Sequence, residues 1–317
     1  MSRQLRLEYP GAIYHVMNRG NQRNKIFRHD GDRELFLSAL EEACRKTGWQ
    51  VHAFCLMGNH FHLVVETPEG NLVAGMKWWL GVYTKRYNIR HKTCGHLFAG
   101  RYKSLVVDGS GNGYLRTVCD YVHLNPVRAK LIRLGEPLES FRWSSYGQYL
   151  KPPKARLPWM RVDRLLGEKR IRKESGRGRV EFAREMEGRR RKKEGAENAE
   201  VRRGWCLGSV AFRRELLARV EEGTGPNHYG LERQESGEEK AQRMVAEGLR
   251  RLGWGENELR RRAKGDKEKV KLARELRERT TMTLAWIAKR LEMGRWPYVS
   301  NLLRDPALKK KGFQCQK

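Results

Sequence analysis

Two stretches of this chain carry side chains whose types and spacing could do chemistry together. The first is Phe54 to Pro68, FCLMGNHFHLVVETP, where His60 and His62 flank Phe61. In a strand, residues i and i+2 point to one face, so His60 and His62 present two imidazoles side by side while Phe61 packs on the other face. Two imidazoles at that spacing can supply two ligands to one divalent metal. Alone, a His-x-His pair in a strand is more often a polar face than a metal site. The second stretch is Tyr121 to Ala129, YVHLNPVRA. It follows a helical pattern of Tyr114, Leu115, Val118, Cys119 and Val122, which Pro126 should end, because the residue before a proline is pushed out of helical geometry. Tyr121 and Asn125, four apart, share a helix face if the last turn persists. The combination offers two imidazoles, one amide oxygen and one phenol.

These residues must be positioned by a small set of elements. Ala12 to Val16 is a β-rich run followed by a Gly/Asn/Arg-rich turn, MNRGNQR. Asp30 to Thr47 has apolar residues at helical spacing, with Asp30 or Asp32 as a cap and Gly48 as the stop. Trp49 to Leu56 and Phe61 to Thr67 read as paired strands joined at Gly58-Asn59. Asn71 to Arg90 is a second helix, Leu97 to Val107 a strand, and Tyr114 to Leu124 a third helix. Glu66 shares strand parity with His60 and His62 but reads more simply as an end-of-strand carboxylate, and His15 as a strand residue with a local hydrogen bond. His123 points away from Tyr121 on its helix and reads as structural. The order strand, helix, strand, strand, helix, strand, helix gives an α+β domain: an antiparallel sheet backed by helices.

With these motifs in hand, the chain resembles the single-tyrosine HUH transposases of the IS200-like superfamily, and within them the REP-associated tyrosine transposases. The resemblance rests on GNHFHLVV, on Tyr-x-x-x-Asn-Pro, on YHVMNRGNQRNKIF (Tyr14 to Phe27) and on WSSY (Trp143 to Tyr146), in the right order over residues 5 to 150. It implies an HUH/ferredoxin-like fold and a catalytic Tyr121. It also implies a metal, Mg²⁺ or Mn²⁺, held by His60, His62 and Asn125, the last being both four residues after Tyr121 and where the family places an amide. The reaction implied is nicking and rejoining of single-stranded DNA through a 5′-phosphotyrosine, beside a hairpin or REP-like repeat. A non-cleaving DNA-binding regulator on the same fold is the alternative, and an RNA-directed protein a third.

Composition agrees with a polyanionic partner. The 317 residues carry 66 Lys+Arg against 37 Asp+Glu, a formal charge of +29. No stretch approaches the ~20 apolar residues of a transmembrane helix, and the N-terminus lacks the apolar core of a signal peptide. Six scattered Cys (44, 55, 94, 119, 206, 315) without a C-x-x-C pair read as reduced thiols of a cytoplasmic protein. Arg19, Asn21 and Arg23 in the turn after the first strand could touch phosphate or base edges. Arg101 and Lys103 would share one face of the strand 97–107 as a phosphate track.

The remainder divides by composition. Residues 151–204 are rich in Arg, Lys and Glu, including Arg189 to Lys193, and read as a basic charged linker after a catalytic domain at 1–150. Residues 205–317 read as a helical domain, with helices near 209–222, 237–252, 267–278, 283–291 and 297–304. In the last two, Leu284, Ile287, Ala288 and Leu291, then Val299, Leu302 and Leu303, face inward across a Met293-Gly294 turn. This is a helix-turn-helix pattern at 283–304 that would put Arg295, Tyr298, Ser300, Asn301 and Arg304 towards duplex DNA. The sequence is compatible with a monomer or a homodimer.

Overall fold

The computed structural model describes residues 7–133, 135–171, 174–191, 201, 204–222 and 231–304, with backbone only at 220–222 and 231–236. The chain divides into two compact units, Met1–Leu72 with Met76–His228, and Val73–Gly75 with Tyr229–Lys317.

In the first unit the strands are β1 (Ala12–Arg19), β2 (Gln50–Leu56), β3 (His60–Thr67), β4 (Lys103–Val107) and β5 (Cys206–Leu207). Helices α1 (Asp30–Thr47) and α2 (Leu72–His91) connect them in the order β1-α1-β2-β3-α2-β4. The sheet order is β2-β3-β1-β4-β5, and its first four strands pair antiparallel. This is the split βαββαβ, ferredoxin-like arrangement. The sheet is not wholly antiparallel, as the sequence suggested: β4 pairs with β5 in parallel, because β5 arrives from a distant part of the chain instead of through a hairpin.

β3 is interior and covered on both faces, which is why its middle, Phe61 and Leu63 to Val65, is apolar. Phe61, Leu63 and Val65 pack with α1 and α2, where Phe36, Trp79 and Tyr83 form the aromatic centre. Val64, with Ile13, Leu105 and Val107, packs on the opposite face against helix α3 (Tyr114–His123). His60 and His62 share Val64's parity, so they face α3.

The stretch expected to be a linker is part of this unit. Its helices α6 (Asp163–Glu168) and α7 (Gly176–Arg190) follow α4 (Asn125–Arg128) and α5 (Tyr146–Leu150) in the chain. Leu165, Leu166, Phe182 and Met186 are buried in the α3 core, and Phe182 stacks on Tyr149 at 4.8 Å between ring centroids. Lys169 reaches Asp120 of α3 at 2.9 Å, and Arg189, from the basic run, reaches the same carboxylate at 2.7 Å. Charge density hid this, because the few apolar residues sit between cations that are themselves paired. The unit continues through β5 and α8 (Val210–Glu222), where Leu216 is buried on the α1/α2 side, so residues 205–222 do not fall in the C-terminal unit.

The WSSY segment runs along β2: Leu56 N–H donates to the Trp143 carbonyl and Ser145 N–H to that of Phe54. Strand 97–107 is shorter than expected. Lys103–Val107 is the continuous strand, with Phe98 an isolated bridge to Gly20, so Arg101 lies before the strand and does not share a strand face with Lys103.

The second unit contains α9 (Leu231–Leu252), α10 (Glu256–Arg261), α11 (Lys267–Arg279), α12 (Leu284–Arg290) and α13 (Trp296–Leu302). Its core joins Ala241, Val245, Leu272, Leu276, Ile287, Ala288, Leu291 and Val299. The caps are local. Asp266 accepts from the amides of Glu268 and Lys269, and Thr283 from that of Trp286.

Candidate active site

The imidazoles of His60 and His62 stand at 5.2 Å between ring centroids, edge to face. The Tyr121 ring lies 5.9 Å from His62, so α3 does bring the phenol to the histidine pair. Tyr121 is 7 % exposed. Asn125 is buried at the start of α4, with Pro126 in the first turn. The helix does not run unbroken from Tyr121 to Asn125. It ends at His123, and Leu124 (φ −88, ψ 0) joins two short helices.

Hydrogen bonds fix which imidazole nitrogens are free. Asn59 Oδ1 lies 2.7 Å from His60 Nδ1 and can only accept, so His60 carries its proton on Nδ1 and keeps a lone pair on Nε2. His62 Nδ1 shares a 2.9 Å hydrogen bond with His15 Nε2. If His62 donates there, its Nε2 is also free, and His15 must hold its own proton on Nδ1. That nitrogen is buried without a partner. Burial, and then the Arg19 charge, lowers the His60 pKa to about 4. Burial, then the neighbouring His15 and His60, lowers that of His62 well below its usual value. Both are therefore neutral at pH 7, the form that ligates metal. The Asn125 Nδ2 is also buried without a hydrogen-bond partner. Two neutral imidazoles on one strand face, His60 anchored through Nδ1 and His62 likewise where it donates to His15, fit two ligand positions of a divalent ion.

Two neighbours of Tyr121 were not singled out in the sequence. His15 lies 5.9 Å from the Tyr121 ring and stacks on His62 at 5.2 Å. Its signal was concealed because it needs the register: His15 opposes Val64 across the β1–β3 pair, which makes it a diagonal neighbour of His62. The Arg128 guanidinium sits 4.4 Å over the Tyr121 ring and donates to the Tyr121 carbonyl at 2.6 Å. Its seven-residue offset, two helical turns, was available to pattern reading.

The other expectations separate cleanly. Glu66 is remote from this chemistry: it pairs with His52 (3.0 Å), Arg161 (3.1 Å) and Arg164 (2.9 Å) at the far end of β3. His123 shares a hydrogen bond with Ser145 Oγ at 2.9 Å, a structural role. Arg19 opposes His60 across the sheet, and Gly20 N–H donates to the Asn59 carbonyl, so Arg19, Asn21 and Arg23 are exposed beside the histidine pair. Arg101 and Lys103 are exposed near the same end, where Ala99 N–H donates to the Arg19 carbonyl and Lys103 opposes Met17. The loop is tightly built. Gln22 and Arg23 have positive φ (52 and 62), and a Cβ at Gly20 would collide with the Asn24 carbonyl. In the second unit Arg295, Tyr298, Asn301 and Arg304 are exposed and Ser300 half-buried. Cys44, Cys55, Cys94, Cys119 and Cys206 are free thiols, and Cys315 lies outside the described residues. Among the described residues no helix is long and apolar enough to cross a membrane.

A ferredoxin-like sheet that sets a tyrosine helix against paired histidines defines the class of domain. Residues 9–125 match the family model described as "Transposase IS200 like". Among solved structures, a REP-associated tyrosine transposase bound to a REP hairpin is similar over 46% of this chain and 84% of that one, at 15% identity and a TM-score of 0.38. A comparison with the curated proteins finds no match.

Proposed function

We propose that the chain is a tyrosine transposase that nicks and rejoins single-stranded DNA. The observation that carries this reading is the Tyr121 ring packed 5.9 Å from His62, itself edge to face with His60. A phenol is a weak nucleophile, with an ordinary pKa of about 10, so it needs orientation. α3 holds Tyr121 by its backbone, and Arg128 clamps the ring and its carbonyl. The Tyr121 oxygen attacks the scissile phosphorus, its proton leaves to solvent or a base, and the P–O3′ bond breaks. The products are a 5′-phosphotyrosine and a free 3′-OH, and attack by another 3′-OH reverses the step without ATP. A Mg²⁺ or Mn²⁺ ion held by His60, His62 and Asn125 would polarise a non-bridging phosphate oxygen. The neutral imidazoles and amide bring no negative charge against the DNA.

The exposed Arg19, Asn21, Arg23, Arg101 and Lys103 give the single strand a cationic approach to Tyr121. α12 and α13 act as a helix-turn-helix on duplex DNA, with Arg295, Tyr298, Ser300, Asn301 and Arg304 towards the groove. The substrate implied by the resemblance is a strand beside a hairpin or REP-like repeat, and the protein works in the cytoplasm.

The test is a covalent-adduct gel with labelled hairpin DNA, with and without Mn²⁺. A metal-dependent shifted band in the wild type, absent from Tyr121→Phe and His60→Ala, is the expected outcome. Retained binding without any adduct would replace this reading with that of a non-cleaving DNA-binding regulator.

A further inference from the structure

On the other face of the sheet from Tyr121, a second set of metal-type donors converges. His29 precedes α1, Asp32 lies in its first turn, and His91 is the last residue of α2. One donor atom from each lies within 4.8 Å of the other two, and among the described residues this is the one His/Cys/Asp/Glu group of three that does so. Asp32 Oδ1 is 2.8 Å from His91 Nε2 and 3.7 Å from His29 Nε2. A tetrahedral ion with bonds of about 2.0 Å needs its ligand atoms about 3.3 Å apart, a value these distances bracket.

The carboxylate is held as a ligand would be. Its other oxygen, Oδ2, accepts from the amides of Arg28 (2.8 Å) and His29 (3.3 Å), which leaves Oδ1 aimed at both imidazoles. The His91 ring is braced on Tyr87 at 4.3 Å. Two interactions would have to yield: Arg90 Nε lies 3.7 Å from the same Oδ1, and the His91 Nε2–H···Oδ1 hydrogen bond would give way to the metal bonds, its proton leaving to solvent.

We propose that His29, Asp32 and His91 form a second metal site, independent of the His60–His62 pair, which takes Zn²⁺ as a structural ion joining α1 to α2. Two imidazoles and one carboxylate are a borderline donor set that favours Zn²⁺ over Mg²⁺ and leaves a fourth position for water. α1 and α2 make up most of the helical layer behind β3, so an ion there would fix the sheet that carries His60 and His62.

The test uses untagged full-length His60→Ala/His62→Ala protein, stripped of metal by chelator and titrated with Co²⁺ or Zn²⁺. Visible Co²⁺ absorption at one equivalent, and a rise in Tm with Zn²⁺, are expected. Adding His29→Ala should weaken binding at least about tenfold. That change leaves the Asp32–His91 hydrogen bond in place, so loss of fold is not the cause. His91→Ala should abolish binding. No binding in the double-alanine protein, or binding unchanged by either added substitution, would overturn the site. Neither result depends on whether Tyr121 forms an adduct.

Discussion

At the scale of single residues, His15 has the clearest consequence. Its Nε2 shares a buried 2.9 Å hydrogen bond with His62 Nδ1. His15→Leu should leave His62 Nδ1 without a partner, costing about 1–3 kcal/mol of stability. It should also weaken Mn²⁺ binding at the His60–His62 pair by about 10- to 100-fold. Urea unfolding and Mn²⁺ titration check the two parts separately, and an unchanged Mn²⁺ affinity would deny His15 any hold on the ligand. That Tyr121 lies against the His60–His62 pair was legible in the sequence, because residue type and local spacing carry it. His15 was not, because a cross-strand neighbour depends on register, which no local pattern encodes.

At the scale of elements, the helix that carries Tyr121 is held from behind. Asp120, next to Tyr121, is buried against Lys169 and Arg189, which come from the stretch whose charge made it look like a linker. Lys169→Met should destabilise the protein by about 3–5 kcal/mol, because it removes one of two cations from a buried carboxylate. Adding Asp120→Leu should recover most of that loss, and a double-mutant cycle measures it. Boundaries of α1, β2, β3 and α2 were readable from apolar spacing and Gly48. α6 and α7 were not, because their few buried side chains are outnumbered by cations whose pairing only the fold reveals. Glu66 gives the pH test. Burial opposes its charge, but His52 and Arg164 overcome this and hold the carboxyl at about 2, below the ordinary 4.5. A depressed carboxyl stabilises the fold above its unfolded pKa, and that stability is lost as pH falls from about 4.5 towards 2. The amount is at most about 3 kcal/mol, and less once solvent screening is allowed for. The stability gap between wild type and Glu66→Gln, followed by denaturant midpoint, should close over that window.

At the scale of the whole molecule, two kinds of DNA contact should separate. A charge of +29 predicts DNA affinity that falls steeply with salt. Tyr298→Ala with Asn301→Ala should weaken duplex binding by about 1–3 kcal/mol per base-contacting side chain, with adduct formation on single-stranded hairpins unchanged. Arg19→Ala with Arg23→Ala should do the reverse. Fluorescence anisotropy against duplex and hairpin probes distinguishes these, and parallel losses on both probes would contradict the division.

The pairing of β4 with β5 has a consequence in time. β4 ends at Val107, yet its outer neighbour is Cys206–Leu207, and the cover of α3 arrives only with α6 and α7. A ribosome therefore finishes His60, His62 and Tyr121 long before it makes the segments that brace them. The nascent domain should stay loose until that late chain has emerged. Stalled chains ending near residue 150 should be cut readily by protease around Tyr121. Chains long enough to expose residue 222 should resist. If Tyr121 cuts DNA as proposed, this order of synthesis would delay cutting until residues 163–222 have been made.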